Sequence, residues 1–220
     1  MFASVFSAAI SGMEVHLIKV EADVSDGLPS FTMVGLPSTQ VKEAQDRVRT
    51  ALKNNGIALP PKRITVNLAP ADIRKEGAGF DLPLAAAVLA AAGVLAAEQL
   101  GNVMMAGEIG LNGEIHAVSG ILPMIIRARE EKCRFCVVPY DNMKEAHLIP
   151  DMKVIGVADL QEMIRYVSAP DSYKKAVETG KKSPQENSVD FCEIHGQESL
   201  KRAVEIAVSG FHNLLMIGPP

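Results

Sequence analysis

The sequence has no tryptophan, three cysteines and only 5% aromatic residues. Three cysteines are too few for a disulfide framework, and no basic segment followed by an apolar leader opens the chain, so secretion is not expected. Nor is there an apolar run long enough for a bilayer. The longest, Leu82 to Ala97, "LPLAAAVLAAAGVLAA", has 16 residues, includes Pro83 and Gly93 and is half alanine. A spanning helix needs about 20 apolar residues, so this run reads as a buried core helix. An excess of positive charge is missing as well. With 22 basic against 26 acidic residues the net charge is −4, and no global field marks a nucleic-acid binder, although a local basic surface stays compatible with these numbers. What remains is a 220-residue chain, 48% hydrophobic and 22% charged, able to bury a core and sized for one or two domains. A soluble cytoplasmic protein without a membrane segment is expected.

Hydrophobic periodicity orders the chain. "ASVFSAAI" and "MEVHLIKVEADV" read as strands around Ser11-Gly12. The alternation of the second (Met13, Val15, Leu17) slips phase at Ile18 and resumes at Val20, Ala22 and Val24. A bulge, or a strand covered on both faces, would explain the slip. After a third strand, "SFTMVGL", an amphipathic helix carries Val41, Ala44, Val48, Ala51 and Leu52 on one stripe, with Ser38 or Thr39 as its cap and Asn55-Gly56 as its end. "KRITVNLAP" returns as a strand. "FDLPLAAAVLAAAG" is a central helix with Asp81 as its expected N-cap. "VMMAGEIG" and "EIHAV" flank Asn112-Gly113, a pair suited to a type I′ hairpin. Helices at "ILPMIIRAREE", "NMKEAHLI" and "DLQEMIRYV" then alternate with strands at "CRFCVVP" and "KVIGV", which makes the class α/β. The stretch from Ser168 to Ser188 breaks this rhythm, with Ala169, Tyr173, Ala176 and Val177 as its apolar residues. It reads as a linker. Order restarts at "VDFCEIHGQESLKRAVEIAVSG" with a capped helix, and "NLLMI" reads as an apolar strand before Gly218.

Two constellations suggest a metal or a dinucleotide and are set aside. Cys133-x-x-Cys136 and Cys192-x-x-His195 match the ligand count of a zinc site. However, "CRFCVVP" is the entry to a buried strand, where cysteine behaves as a small hydrophobe, and no metal is expected. Gly77-Ala78-Gly79 lacks the third glycine of a dinucleotide fingerprint, since Leu82 stands there.

The segments "RKEGAGFDLPLAAAVLAAAGVL" and "AGEIGLNGEIHAVSGILPMIIRAREEKCRFCVVPYDN" resemble the Lon-type proteolytic domain. In that family a serine lies in a Lys-Asp-Gly-Pro-Ser-Ala-Gly pattern, and an activating lysine in a Gly-Gly-Leu-Lys pattern. Laid on Lys75 to Ala78 and on Ser119 to Leu122, the serine position falls on Gly79 and the lysine position on Leu122. Neither supplies a nucleophile or a base. A displaced pair, Lys75 with Ser119, would need contact that nothing in the spacing implies. The whole chain resembles the N-terminal part of the magnesium-chelatase-like AAA+ family, the YifB/ComM proteins. The resemblance rests on the opening "FASVFSAAISGMEVHLIKVEADVSDGLPSFTMVGLPSTQVKEAQDRVRTAL" and on "DFCEIHGQESLKRAVEIAVSGFHNLLMIGPP". It implies a two-layer Lon protease-like, ribosomal protein S5 domain 2-like fold over residues 1–168. A linker at 169–188 and an incomplete AAA+ (P-loop) segment at 189–220 would follow.

The same resemblance implies ATP and Mg²⁺ as cofactors of the full-length protein, self-association into a hexameric ring, and DNA as the substrate of the motor. By resemblance Phe191, Ile194, His195 and Gly196 would line the base pocket, and Gly218, Pro219 and Pro220 would open the phosphate loop. That loop grips phosphate through successive N–H groups, a lysine and a hydroxyl. None of these follows Gly218 in this sequence, so the chain alone is expected neither to bind the nucleotide tightly nor to hydrolyse ATP. Basic candidates for DNA are Lys62, Arg63, Arg74 and Lys75, at the two ends of one strand, with Asp72 and Glu76 diluting the second pair. The helix with Lys42, Arg47, Arg49 and Lys53 also carries Glu43 and Asp46, without interleaved aromatics to stack bases. The leading expectation is a non-proteolytic regulatory or assembly module of a DNA branch-migration helicase. The alternatives are a chelatase-type remodeller of a metal-inserting enzyme and an active Ser-Lys peptidase.

Overall fold

The computed structural model describes residues 1–12, 14–173 and 194–218. The chain divides into two compact units, Met1–Lys175 and Ala176–Pro220. The described residues of the first hold nine strands and five α-helices, in the order β1 (Phe2–Ser11), β2 (Glu14–Ser25), β3 (Ser30–Val34), α1 (Thr39–Asn54), β4 (Arg63–Ala69), α2 (Asp81–Ala91), β5 (Val103–Met105), β6 (Glu108–Ile109), β7 (Ile115–His116), α3 (Ile121–Glu130), β8 (Phe135–Pro139), α4 (Met143–Ala146), β9 (Val154–Val157) and α5 (Leu160–Ser168). Seven strands form one mixed sheet in the order β3-β4-β2-β1-β5-β8-β9, and β6 and β7 form a separate antiparallel pair. The β1–β2 and β2–β4 pairings are antiparallel, whereas β3–β4, β1–β5, β5–β8 and β8–β9 are parallel.

The period of two in each strand divides the side chains between two cores. Ile18, Val20, Val66, Leu68, Val103, Phe135, Val137 and Ile155 face the larger core, together with the buried stripe of α1, all of α2 and Leu160, Met163 and Val167 of α5. Met104, Cys136 and Val138 point the other way, onto Ile121, Ile125 and Ala128 of α3 and Met143 and Ala146 of α4. The parallel half of the sheet is therefore covered on both faces, which is why "VMM" and "FCVVP" are apolar at every position. The β3-β4-β2 half keeps the expected two layers. Its second face carries Lys19, Glu21, Thr65 and Asn67, joined by a 3.0 Å Lys19–Glu21 ion pair and a 2.9 Å bond from Asn67 to Glu21.

The phase slip of β2 follows from this arrangement. The β1–β2 register runs unbroken from Phe2↔Asp23 to Ser11↔Glu14, so there is no bulge. Val15 and Leu17 pack on the smaller core under α3, and Ile18 onward turns to the larger one. α2 is buried at all eleven positions. Its alanines let the helix backbone approach β1, β2 and α1, and a helix apolar on every side belongs in a core.

Two expected local features differ. Asp81 is not an N-cap: a 3₁₀ turn, Ala78–Phe80, runs directly into α2, and Asp81 is its first helical residue. Between β6 and β7 the turn spans Gly110 to Gly113, closed by the Gly113 N–H on the Gly110 carbonyl at 2.8 Å. There Gly113 has positive φ and Asn112 does not, so the type I′ geometry, which needs both, is absent. Asn55 packs against this turn: its amide nitrogen donates to the Asn112 carbonyl at 2.9 Å, and a Cβ on Gly113 would lie 2.1 Å from it.

In the second unit α6 (Glu198–Ser209) follows Gly196 and Gln197, both at positive φ. The expected side-chain cap is missing. Residues 212–218 form no regular element, and Leu215 and Ile217 are exposed. An apolar segment becomes a strand only when a neighbour takes up its N–H and C=O groups, and none pairs with it among the described residues. The expected linker falls largely outside the described residues, which resume at Ile194. Among the described residues no helix is long and apolar enough to cross a membrane.

Gly35, at the exit of β3, has φ +95, and an added Cβ would sit 2.2 Å from the Leu68 carbonyl oxygen. Gly35→Ala is expected to destabilise the fold by about 1–3 kcal/mol or more, read as a lower urea midpoint at unchanged m-value.

Candidate functional site

The segment after β4 and the start of α3 meet at a cleft of about 300 Å³, lined among others by Glu76, Gly79, Glu108, Val118, Ser119 and Met124. Three sets of contacts build its walls. The first is an ion pair between helices. Asp81, fully buried, accepts from Arg47 Nε at 2.8 Å and Nη2 at 2.9 Å, and from the Ile109 N–H at 3.2 Å. One carboxylate thus ties α1 and β6 to the start of α2. Burial drives its carboxyl above the ordinary aspartate range, and the Arg47 and Ile109 bonds oppose that drive. The same pair raises the Arg47 guanidinium.

The second set docks the 70–76 segment. Lys75 gives its N–H to Leu36 O at 3.4 Å and accepts from Ser38 N at 3.0 Å, while its Nζ donates to the carbonyls of Gly35, at 2.8 Å, and of Pro70. Burial lowers its amine from the usual lysine range, with Asp72 pulling it back. The third set holds the far wall. The buried Asn142 accepts from Val118 N and donates to Val118 O, each at 3.0 Å. Asn54 and Asn55, at the end of α1, donate to the carbonyls of Leu111 and Asn112 at 2.8 and 2.9 Å.

Gly79, at the expected serine position, lies in the 3₁₀ turn, and a Cβ added there would meet only Val118 Cγ2, at 3.9 Å. A side chain would fit, so nothing steric excludes a hydroxyl at that position. Leu122, at the expected lysine position, is half-buried in the first turn of α3. The groups with chemistry that line the cleft are Ser119, Glu76 and Glu108. Among the described residues no amine joins them. The displaced pair fails too, because the Lys75 ammonium is engaged by Gly35 and Pro70, which do not line the cleft.

The other sequence candidates separate. Lys75 is 0% exposed and is withdrawn from the basic candidates, since a buried amine cannot reach a phosphate. Lys62 pairs with Asp26 at 2.9 Å and Arg74 with Glu76 at 2.8 Å. Arg63 opens β4 in an exposed position, and Arg74 lies past the other end of that strand. Ile194, His195 and Gly196 lie exposed just before α6, and Gly218 is exposed as well. Phe191, Pro219, Pro220 and Cys192 lie outside the described residues. Cys133 and Cys136 are both buried, and burial pushes both thiols up, Cys136 strongly. The Asp81–Arg47 pair, the seat of Lys75 and the Asn142 clamp carried no sequence signal of their own, because each joins residues that are distant in the chain.

A family model described as subunit ChlI of Mg-chelatase matches residues 20–142, more than half of the chain. This chain is a member of that family. A second model, magnesium chelatase subunit ChlI, matches residues 190–220. The competence protein ComM of Haemophilus influenzae is 41% identical over 99% of this chain and 43% of its own length. The YifB protein of Escherichia coli is 40% identical over 98% of this chain and 42% of its own. Lon protease 2 of Bacillus subtilis is 26% identical over 57% of this chain and 22% of its own. The chain thus spans less than half the length of the ComM and YifB relatives. The Lon-like fold class of this ChlI-family chain accords with these matches, and the mixed sheet with its helices is the form it takes.

Arg47→Met in this ChlI-family chain leaves the Asp81 carboxylate buried without its cation and is expected to cost about 3–5 kcal/mol. Adding Asp81→Leu should recover a large share, which a double-mutant cycle in urea measures. Lys75→Met unpairs the Gly35 and Pro70 carbonyls, at about 1–3 kcal/mol. In the parent protein the folded amine titrates below its unfolded value, so the folded chain binds fewer protons between the two and stability rises with pH there. The gap to Lys75→Met is therefore expected to widen as pH climbs toward about 10.4, checked by urea titrations at stepped pH.

Proposed function

We propose that this chain is a catalytically silent, Lon-like regulatory and assembly module of a larger AAA+ ring ATPase of the ComM kind, which moves branched DNA. The observation that carries the reading is the cleft beside Gly79. Its walls are built with a buried ion pair and backbone clamps, yet among the described residues no amine lines it to activate Ser119. A Ser–Lys dyad requires hydroxyl and amine in contact. A scaffold kept in such detail without that chemistry is suited to positioning other parts of a protein. The competence label of the Haemophilus influenzae relative supports DNA as the substrate.

In this reading the complete protein uses ATP and Mg²⁺, assembles as a hexameric ring and works in the cytoplasm. Ile194, His195 and Gly196 stand on the base side of the nucleotide and Gly218 at the start of the phosphate loop, with Phe191, Pro219 and Pro220 completing those groups. The described residues at this end, exposed and without a regular element at 212–218, do not by themselves fit a triphosphate. The chelatase description of the matching models favours one other reading, a motor that remodels a metal-inserting enzyme.

The full-length protein is expected to drive ATP-dependent branch migration of a four-way DNA junction and to resist labelling by a serine-directed fluorophosphonate. An adduct mapped to Ser119 would overturn the silent cleft. Failure to bind junction DNA, with capture of a porphyrin-metallating enzyme instead, would replace helicase by remodeller.

A further inference from the structure

The tertiary structure engages several basic residues of the first unit and leaves others exposed, among them Arg63, Lys132, Lys144 and three on α1. Lys75 is buried, Lys62 and Arg74 are paired with Asp26 and Glu76, and Arg47 is held by Asp81 with Glu43 at 3.8 Å on its other side. Lys42, Arg49 and Lys53 of α1 are exposed and make no ion pair among the described residues. Positions 42, 46, 49 and 53 repeat at helical spacing and fall on one stripe. The buried stripe of α1 faces the core, so this one faces solvent. Glu43, the acid that dilutes the helix in sequence, turns toward Arg47 and off this line. Three cations thus stand along about 16 Å of helix, with Asp46 as the one carboxylate among them. Beside them runs a groove of about 510 Å³, lined by Asp46, Arg49, Thr50, Lys53, Ile57 and Leu59.

We infer that the Lys42-Arg49-Lys53 stripe of α1 is a second DNA contact of the protein, seating a sugar–phosphate backbone along the groove beside residues 57–59. A row of separated cations matches the repeated charge of a polyanion rather than a single phosphate. The absence of aromatic residues from the groove makes the contact one of charge and not of base stacking, hence independent of sequence. Asp46 limits affinity, as suits a surface that guides a moving strand without holding it. The choice of DNA over other polyanions rests on the proposed function.

The test uses the full-length protein and a fluorescent four-way DNA junction, read by anisotropy across a salt series. The combined Lys42→Glu, Arg49→Glu and Lys53→Glu variant is expected to bind at least tenfold more weakly, with a log–log salt slope shallower by about 2–3, the value for three phosphates. Asp46→Asn should tighten binding severalfold, and Lys144→Glu, a single charge reversal on α4, should leave it unchanged. A melting temperature equal to the parent's excludes misfolding, and the Asp46→Asn arm tests the stripe even if the triple variant fails to fold. Junction binding that is intact in the triple variant, or a Lys144→Glu loss as large as its own, overturns this inference while leaving the DNA reading in place. A parent protein that binds no junction at all overturns both.

Discussion

One buried carboxylate holds the candidate site together. Asp81 starts the fully buried helix α2, where no water can solvate it, and its oxygens are satisfied by two nitrogens of Arg47 and the N–H of Ile109. A charge in that position is tolerable only when it is paired and hydrogen-bonded. The pairing therefore fixes the distance between α1 and α2 and the seat of β6 at once. Asn54 and Asn55 extend the same brace to the β6–β7 turn from the end of α1. The cleft keeps its shape because its two walls share that frame.

Against this frame the side chains of the cleft are plain. Gly79 stands where a hydroxyl would fit, and Leu122 contributes apolar packing in α3. Lys75, the nearest lysine in sequence to Gly79, turns its amine inward and pins the 70–76 segment to the exit of β3. A residue type that could have supplied chemistry supplies anchoring. Catalysis requires a deprotonated amine in contact with a hydroxyl, whereas anchoring requires donors aimed at carbonyls, and the surroundings of Lys75 offer only the second.

Much of the fold was legible from pattern. The stripe of α1, the alanine-rich core helix and the alternation of strands and helices after Gly101 all depend on local periodicity, and the structure bears them out, choosing Ser38 over Thr39 as the cap of α1. The slip in β2 was legible as a question, and the answer came from α3 lying on the second face. Two local readings went astray for the same physical reason. Asp81 looked like a cap and Asn112-Gly113 like a tight hairpin because both motifs are judged from neighbours in sequence. Arg47 reaches Asp81 from 34 residues away, and Asn55 reaches the turn from 57 away.

Periodicity, composition and motif order by themselves determined the α/β class and the identity of the core helices, because these depend on which residues are present and how they repeat. Only the tertiary structure decided which charges are free. Lys75 and Lys42 look alike in sequence, yet one is enclosed beneath β3 and the other stands in solvent. The reason is electrostatic: the fate of a charge depends on the dielectric and the partners around it, and folding brings those from distant parts of the chain.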